Sequence, residues 1–264
     1  MRQKMNELHS GEGREASSHE NFRPPLYFQH CCERTGVYRI TFNPELKSVC
    51  IFFRNCNFKC KGCIRKNERI PSRTMPMREV LRKLSISDAS LAIFMGGEPT
   101  VHDEMPEIAE FCKEELGMRN VLLTNAYSLT EEHLFHFDDV CISLKAISDE
   151  IHRDFTGFPN RRVLRNFIIA YNFCKNYGLS LRAESIFIPS YIDCDEIKRI
   201  ARFISEIDDE IPYRIDAYVP VQGAIWRSPC REEMEKALKI AKEHLRNVSC
   251  LFGNEEERGR TLLV

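Results

Sequence analysis

The sequence of 264 residues lacks any uninterrupted apolar run of the length that a membrane-spanning helix needs, so we expect no membrane contact. It also lacks an excess of charge of either sign. The formal net charge of −1 gives no global reason to favour nucleic acid or an anionic lipid surface. The first twenty-five residues are polar and lack the apolar stretch of a signal peptide, which predicts a cytoplasmic protein. Internal repeats and low-complexity tracts are missing as well.

Cysteine, by contrast, is abundant. Twelve cysteines in a chain expected in a reducing compartment are not read as disulfides, so metal binding or burial must account for them. Cys112 and Cys174 lie in amphipathic helical patterns and Cys141 lies in a strand-like run, so we predict that these three are small buried residues. A second metal cluster remains an open alternative for some of the others, which show no recognisable ligand spacing: Cys31, Cys32, Cys50, Cys194, Cys230 and Cys250.

Three further cysteines stand close together in the stretch CNFKCKGC. Cys56, Cys60 and Cys63 follow one another at spacings of four and three residues. A closed structural metal site normally has four protein ligands, so a trio indicates a site with one position left open. The alternative is a zinc site in which Cys50, His30 or His102 supplies the fourth ligand.

Strand-like and helical patterns alternate along the chain. Apolar runs predict six strands at 49–53, 91–95, 121–123, 140–144, 179–188 and 213–219. Helical spacing predicts helices at 77–84, 106–116, 162–177 and 196–207, and a last helix that starts near Ser228-Pro229. Six such units imply a parallel sheet with right-handed crossovers, two strands short of a closed barrel. The predicted fold is therefore α/β, an open partial (β/α)6 barrel over residues 37–264, preceded by a flexible, loosely ordered arm at 1–36.

Polar residues gather at the ends of the predicted strands, where ligands bind in such folds. The cysteine loop follows the first strand, the GGEP stretch at 96–99 follows the second, and Thr124-Asn125 follows the third. Strands buried on both faces should be almost wholly apolar, yet three strands carry polar residues at every second position. These are Cys141, Ser143 and Lys145, then Arg182 and Glu184, then Arg214, Asp216 and Tyr218. The pattern predicts a ligand-filled concavity, the alternative being strands exposed at an open edge.

These motifs resemble the radical S-adenosylmethionine (SAM) enzymes. The cysteine trio matches their C-x3-C-x2-C signature, and GGEP matches their SAM-binding segment. The resemblance implies a radical SAM type barrel in which three thiolates hold a 4Fe-4S cluster, one iron being left for the amino and carboxylate groups of SAM. It also implies that the reduced cluster cleaves SAM to methionine and a 5′-deoxyadenosyl radical, which abstracts a hydrogen atom. Gly96 and Gly97 would permit close backbone approach, and Glu98 would lie near the SAM ammonium.

Within that superfamily the sequence is most similar to activating enzymes of the pyruvate formate-lyase activase type. The segments that carry this similarity are SLKAISDEIHRDFTG at 143–157, LLTNAY at 122–127, IPSYID at 188–193 and YVPVQGAIW at 218–226. The similarity implies a SAM pocket with residues 218–220 beside the adenosine. The predicted cofactor-binding residues are Gly96, Gly97, Glu98, Pro99, Thr124, Asn125, Ser143, Lys145, Arg182 and Glu184, and the predicted metal ligands are Cys56, Cys60 and Cys63.

The expected substrate is a glycine of a glycyl-radical enzyme, and the expected second partner is a low-potential electron donor. The rival is a radical SAM enzyme that modifies a small molecule, lipid or peptide, and a non-catalytic zinc or iron–sulfur protein is a more remote alternative. The chain departs from the activases at Gly62, Ile64, Leu123 and Ser143. Because Leu123 and Ser143 replace acidic residues, we expect the monovalent-cation site beside SAM to be weakened or absent.

Overall fold

The computed structural model describes residues 34–253 and 262–263. The predicted arm therefore lies outside the described residues except at 34–36, where Arg34 forms an isolated bridge with Pro76. The strands are β1 (Val37–Asn43), β2 (Ser48–Phe53), β3 (Leu91–Gly96), β4 (Arg119–Thr124), β5 (Asp139–Ser143), β6 (Ser180–Phe187), β7 (Tyr213–Ala217), β8 (Val248–Leu251) and β9 (Leu262–Leu263).

All nine strands form one sheet in the order β8-β7-β6-β5-β4-β3-β2-β1-β9. Strands β2 to β8 pair in parallel with their neighbours, whereas β1 pairs antiparallel with both β2 and β9. The sheet is not closed, because β8 and β9 stand at its two ends. The predicted α/β fold with an open, mostly parallel sheet is confirmed. The six predicted strands are all present, and β1, β8 and β9 are additional.

The helices are α1 (Met77–Ile86), α2 (Met105–Glu110), α3 (Asp149–Thr156), α4 (Arg161–Tyr177), α5 (Cys194–Ser205) and α6 (Arg231–Lys242), and a π-helical turn at Phe111–Glu115 extends α2. Helix α3 was not among the predicted helices. The start predicted at Ser228-Pro229 for the last helix is wrong by two to three residues. Helix α6 begins at Arg231, because the Glu233 carboxylate accepts the backbone N–H of Cys230 and caps the first turn.

The main core lies between the sheet and the helices packed on it. It includes Cys112 and Cys174, and Cys141 is buried as well, so the prediction of burial for these three cysteines is confirmed. A smaller cluster gathers beyond the strand ends around Phe155 and Tyr218. No helix in the described part of the chain is both long and apolar enough to cross a membrane.

Candidate active site

A cavity of about 390 Å³ opens at the carboxyl ends of the parallel strands. This volume lies in the range of sites for small molecules and cofactors. Its lining residues come from the cysteine loop and from the ends of β3 to β7: Cys56, Phe58, Cys60, Gly62, Cys63, Ile64, Arg65, Met95, Gly96, Gly97, Glu98, Leu123, Thr124, Asn125, Ser143, Lys145, Phe155, Glu184, Ile186, Asp216, Ala217 and Val219. The cavity therefore lies where the pattern of strand ends predicts a ligand.

The cysteine loop is fixed to the carboxyl end of α3. The backbone N–H of Lys59 donates to the carbonyl of Thr156, and that of Lys61 donates to the carbonyl of Phe155, both at 2.9 Å. Cys60 stands between the two bonded residues. The loop is therefore held at its centre by backbone hydrogen bonds, which leaves the side chain of Cys60 directed into the cavity.

The three thiols differ in their surroundings. Cys56 is exposed, whereas Cys60 and Cys63 are half-buried. Burial raises the pKa of Cys60 to about 12, and the Lys145 ammonium opposes that rise. A thiol with so high a pKa is protonated at neutral pH, and a bound metal would displace its proton. The sulfur of Cys56 receives two N–H groups, from the backbone of Phe58 at 3.4 Å and from the Asn125 amide at 3.8 Å.

Two of the three candidate fourth ligands of the zinc alternative, Cys50 and His102, do not line the cavity. Across residues 34–253 and 262–263, no three His, Cys, Asp or Glu side chains converge as ligands of a single ion would. Cys50 lies within β2 opposite Thr41, and the buried ring of His102 packs on Phe53; neither residue lines the cavity. His30, the remaining predicted zinc ligand, lies outside the described residues.

Gly96 and Gly97 allow the end of β3 to touch the start of the cysteine loop. Gly96 has φ +105°, a conformation that favours glycine. A Cβ atom on Gly97 would lie 2.1 Å from the carbonyl oxygen of Asn55, the residue before Cys56. The N–H groups of Gly97 and Glu98 donate to the carbonyls of Phe53 and Asn55, each at 2.7 Å. The predicted close backbone approach at these glycines is thus made by the loop that carries the cysteines.

Glu98 joins the ends of β3 and β4. Its buried carboxylate accepts four protein donors: the backbone N–H of Thr100 at 3.2 Å, the hydroxyls of Thr100 and Thr124 at 2.6 Å each, and the backbone N–H of Asn125 at 2.7 Å. Burial raises the pKa of Glu98, and these four bonds oppose the rise. The Asn125 amide in turn donates to Asn57 at 2.7 Å, so the network reaches the cysteine loop.

A second polar network lines the floor of the cavity. Glu184 accepts the hydroxyl of Ser143 and the guanidinium of Arg214, the latter at 2.7 Å, and Arg214 also donates to Asp216 at 2.7 and 2.9 Å. Burial disfavours the charged form of Glu184, but Lys145, Ser143 and Arg214 outweigh it and lower the pKa of that carboxyl. For Asp216 burial prevails over Arg214, and its pKa is raised. The floor therefore offers carboxylate acceptors and one ammonium, Lys145, to a bound molecule.

The structure brings eleven of the thirteen predicted site residues to this cavity. The two exceptions are Pro99 and Arg182. Pro99 is buried at the first position of a short 3-10 turn. Arg182 is exposed, because it precedes Glu184 by two residues on β6 and so lies about 6.6 Å nearer the amino end of that strand. The expectation that Arg182 shares the cavity with Glu184 is therefore wrong.

Several lining residues escaped the sequence prediction of the site. Asp216 belongs to the alternation that predicts the concavity but not to the predicted cofactor-binding residues, although it follows the same alternation as Glu184 on the neighbouring strand. Phe155 carries no such signal, because it enters the cavity from α3 rather than from a strand. Its ring, with that of Tyr218, also explains the departure at Gly62. A Cβ atom there would lie 3.0 Å from Tyr218 and 3.1 Å from Phe155, so these two rings occupy the space beside it.

Comparison with known proteins bears on this site. A family model described as the radical SAM superfamily matches residues 50–181. A Methanocaldococcus jannaschii protein, provisionally named a glycyl-radical enzyme activating enzyme, is 31% identical over 201 aligned residues that cover 74% of this chain and 77% of the relative.

Two solved structures share the fold. A radical SAM methyltransferase from Sphaerobacter thermophilus has a TM-score of 0.64 at 14% identity, with 82% of this chain and 69% of that chain covered. Streptococcus suis SuiB bound to S-adenosylmethionine has a TM-score of 0.60 at 16% identity, with 75% of this chain and 48% of that chain covered. The chain thus spans about half the length of SuiB.

Proposed function

Because this chain belongs to the radical SAM superfamily, whose members use a 4Fe-4S cluster and SAM, we propose that it generates a radical from SAM in this cavity and abstracts hydrogen from a protein substrate. In this proposal Cys56, Cys60 and Cys63 hold the cluster. All three line the cavity, and the N–H groups of Phe58 and Asn125 are directed at the Cys56 sulfur, which supports the assignment. When bound, the reduced cluster supplies the electron that cleaves SAM to methionine and a 5′-deoxyadenosyl radical.

The chain's own residues would bind and orient SAM. The Lys145 ammonium suits the carboxylate of the methionine part, and the Glu184 and Asp216 carboxylates suit its ammonium. Residues 218–220 are predicted to lie beside the adenosine. Ala217 and Val219, which flank Tyr218, line the cavity and offer apolar contact to the base. Glu98 would act indirectly, because its four protein donors make it a brace between strand ends rather than a free acceptor.

For the substrate we favour a backbone glycine in a glycyl-radical enzyme. The observation that carries this choice is the 31% identity, over 74% of this chain, to the relative provisionally named as an activating enzyme of such proteins. Abstraction from glycine is chemically reasonable, since the resulting radical is delocalised over the two flanking amides and no side chain has to be removed.

The experiment is to incubate the iron-reconstituted, reduced protein and SAM with a glycyl-radical enzyme from the same source, and to record the electron paramagnetic resonance spectrum. A doublet that collapses when the partner's glycine is deuterated supports the proposal. The Cys60→Ala variant, which removes one proposed ligand, should give no doublet. A wild-type protein that binds iron and SAM but produces no 5′-deoxyadenosine would contradict radical chemistry altogether.

The second candidate is modification of a small molecule, lipid or peptide. It is favoured by Leu123 and Ser143, which are neutral where the activases are acidic, and by the use of the Ser143 hydroxyl within the Glu184 network. Turnover of SAM with no protein radical, alongside a chemically altered small molecule or peptide, would select this candidate over the first.

A further inference from the structure

Charge of opposite sign is concentrated in two stretches on the helical side of the sheet. Helix α4 contains four basic residues and no acidic one; the basic residues are Arg161, Arg162, Arg165 and Lys175. Residues 103–115, which include α2 and the π-helical turn after it, contain one lysine and six acidic residues: Asp103, Glu104, Glu107, Glu110, Glu114 and Glu115. The formal net charge of −1 for the whole chain conceals this separation.

The crossover from β4 to β5 brings the two stretches side by side. Every other crossover between neighbouring parallel strands contains an α-helix, but this one contains only the 3-10 turn Glu131–Leu134. The turn contacts α2 on one side and α4 on the other. Burial lowers the pKa of His133 in this turn, and the carboxylates of Glu132 and Asp103 oppose that shift, so the turn and the start of α2 form one acidic region. That region therefore adjoins the basic helix α4.

Two exposed aromatic rings lie on the border between the turn and α4. Phe135 follows the turn and is 54% exposed, and Tyr177 ends α4 and is 63% exposed. Their ring centroids are 6.1 Å apart, and both rings pack on the buried Phe173, at 5.2 and 4.4 Å. Beside them is a groove of about 570 Å³, lined by Tyr177 and Phe137 among others, that shares no lining residue with the active-site cavity. Exposed aromatic side chains beside a groove are typical of protein interfaces.

The charged residues on either side of this border are exposed. We call the whole surface the α4 face: the acidic residues Asp103, Glu131 and Glu132, the rings of Phe135 and Tyr177, and the basic residues Arg161, Arg162 and Arg165. None of its six charged side chains forms an ion pair with another described residue, and the Arg162 guanidinium lies 5.0 Å from the ring centroid of Tyr127. Arginines in the first turns of a helix oppose its dipole, and Arg161 and Arg165 repel each other at a spacing of four. An acidic surface placed against them would offset both costs.

We propose that the α4 face binds a second copy of this chain in a symmetric dimer. Consider a two-fold axis that lies in the contact plane and follows the border between the turn and α4. It places the basic helix of each protomer over the acidic region of the other, and Phe135 of one protomer over Tyr177 of the other. An acidic partner or a basic partner would complement only half of the face, whereas a second copy complements both halves. The proposal is independent of the proposed function, because no residue of the α4 face lines the active-site cavity.

The test is sedimentation velocity of the full-length, iron-reconstituted chain in sealed anaerobic cells, over a range of protein concentrations. One variant reverses the basic half, Arg161→Glu/Arg165→Glu, and a second reverses the acidic half, Glu131→Lys/Glu132→Lys. The second has Glu131→Gln/Glu132→Gln as a milder form should reversal lower the unfolding midpoint.

Two further variants complete the set. Tyr177→Ser removes an exposed ring from the border. The matched control is Lys236→Glu/Lys239→Glu, which reverses two exposed basic residues on α6, a helix separated from α4 by α5.

At an ionic strength of about 0.05 M the wild type should pass from monomer to dimer between about 1 and 100 µM, as a small interface of mixed polarity would. Either reversal should weaken association about tenfold or more, and the α6 control should change it less than about twofold. An equimolar mixture of the two reversed chains should associate again, because one then has two acidic halves and the other two basic halves. Salt at about 0.5 M should weaken the wild-type dimer, and Tyr177→Ser should weaken it at both salt concentrations.

A wild-type chain that remains monomeric up to about 100 µM would overturn the proposal. So would a dimer that neither reversal weakens, or one that the α6 control weakens equally. Failure of the two reversed chains to associate when mixed would exclude the arrangement of helix over acidic region. Cross-links from the α4 face to residues 1–33 of the same chain, in a monomer, would assign the face to that segment instead of to a second copy.

Discussion

Replacement of Gly97 by alanine should remove iron by moving the cysteine loop, not by filling the cavity. The new Cβ atom would stand 2.1 Å from the carbonyl oxygen of Asn55, where ordinary contact begins at 3.4 Å. That carbonyl must therefore retreat by about 1.3 Å. Because both near neighbours, Asn55 and Arg54, are struck through backbone atoms, no side-chain rotation can relieve the overlap.

The energetic consequence has two parts. Overpacking of a well-packed site costs about 1–3 kcal/mol. The same retreat stretches the 2.7 Å hydrogen bond from the Glu98 N–H to the Asn55 carbonyl beyond bonding distance, which costs about 1 kcal/mol more. A loss of about 2–4 kcal/mol should lower the midpoint of thermal unfolding by roughly 5–15 °C in a chain of this size. Cys56 follows Asn55 directly, so the displaced loop should hold iron poorly.

The measurement is iron per chain after anaerobic reconstitution, together with the unfolding midpoint of the metal-free protein. Gly117→Ala is the control, since Gly117 has φ +62° and no other group lies within 4 Å of the place its Cβ would take. That change should cost about 1–2 kcal/mol through backbone strain and leave iron binding intact. A Gly97→Ala protein that binds iron like the wild type and melts within a few degrees of it would refute the reasoning.

Three further predictions test the site. Cys60→Ala should abolish binding of the roughly four irons expected per chain, measured by iron and sulfide analysis, whereas the buried Cys112→Ala should retain them. Lys145→Met should weaken SAM binding about five- to thirtyfold in equilibrium titration, with near-normal iron, because it removes the cavity's ammonium while keeping its length. Burial lowers the pKa of His152, so at mildly acidic pH the unfolded chain binds a proton at this residue that the folded chain does not bind. The free energy of unfolding should therefore fall as pH falls below about 6.5. The His152→Asn variant should flatten that fall by up to about 1.4 kcal/mol per pH unit in denaturant titrations of metal-free protein; an identical slope would exclude this histidine as its source.

Periodicity was sufficient for strands β2 to β7 but not for β1, β8 and β9. Strands β2 to β7 lie inside the sheet and contain apolar runs, so each was predictable. Strand β1 alternates strongly, but its pairing depends on the turn that joins it to β2. Strand β8 has only four residues, of which two are exposed, and it gives almost no apolar signal. These strands are identified by their partners, and pairing cannot be predicted from local sequence.

The residues of the candidate site were likewise only partly predictable from the sequence. Residues at strand ends could be predicted because the fold places every such end at one rim. Phe155 and the outward-facing Lys59 could not, since their positions depend on contact between α3 and a loop about a hundred residues earlier. The prediction for Arg182 was wrong for a simpler reason. Alternation assigns a side chain to one face of a strand but does not give its position along that strand.

The segment at 143–157, which carries the resemblance to the activases, supports both the cysteine loop and the floor of the cavity. Its last turn supplies the carbonyls of Phe155 and Thr156 that hold the cysteine loop, and the ring of Phe155 fills the space beside Gly62. Its other end supplies Ser143 and Lys145 to the floor of the cavity. Likeness in this segment therefore reflects how a chain supports its cysteine loop and the cavity beside it. We expect the choice of substrate to depend instead on the exposed rim, where Ile64 borders the opening, so variants at that position should alter the substrate while leaving SAM cleavage intact.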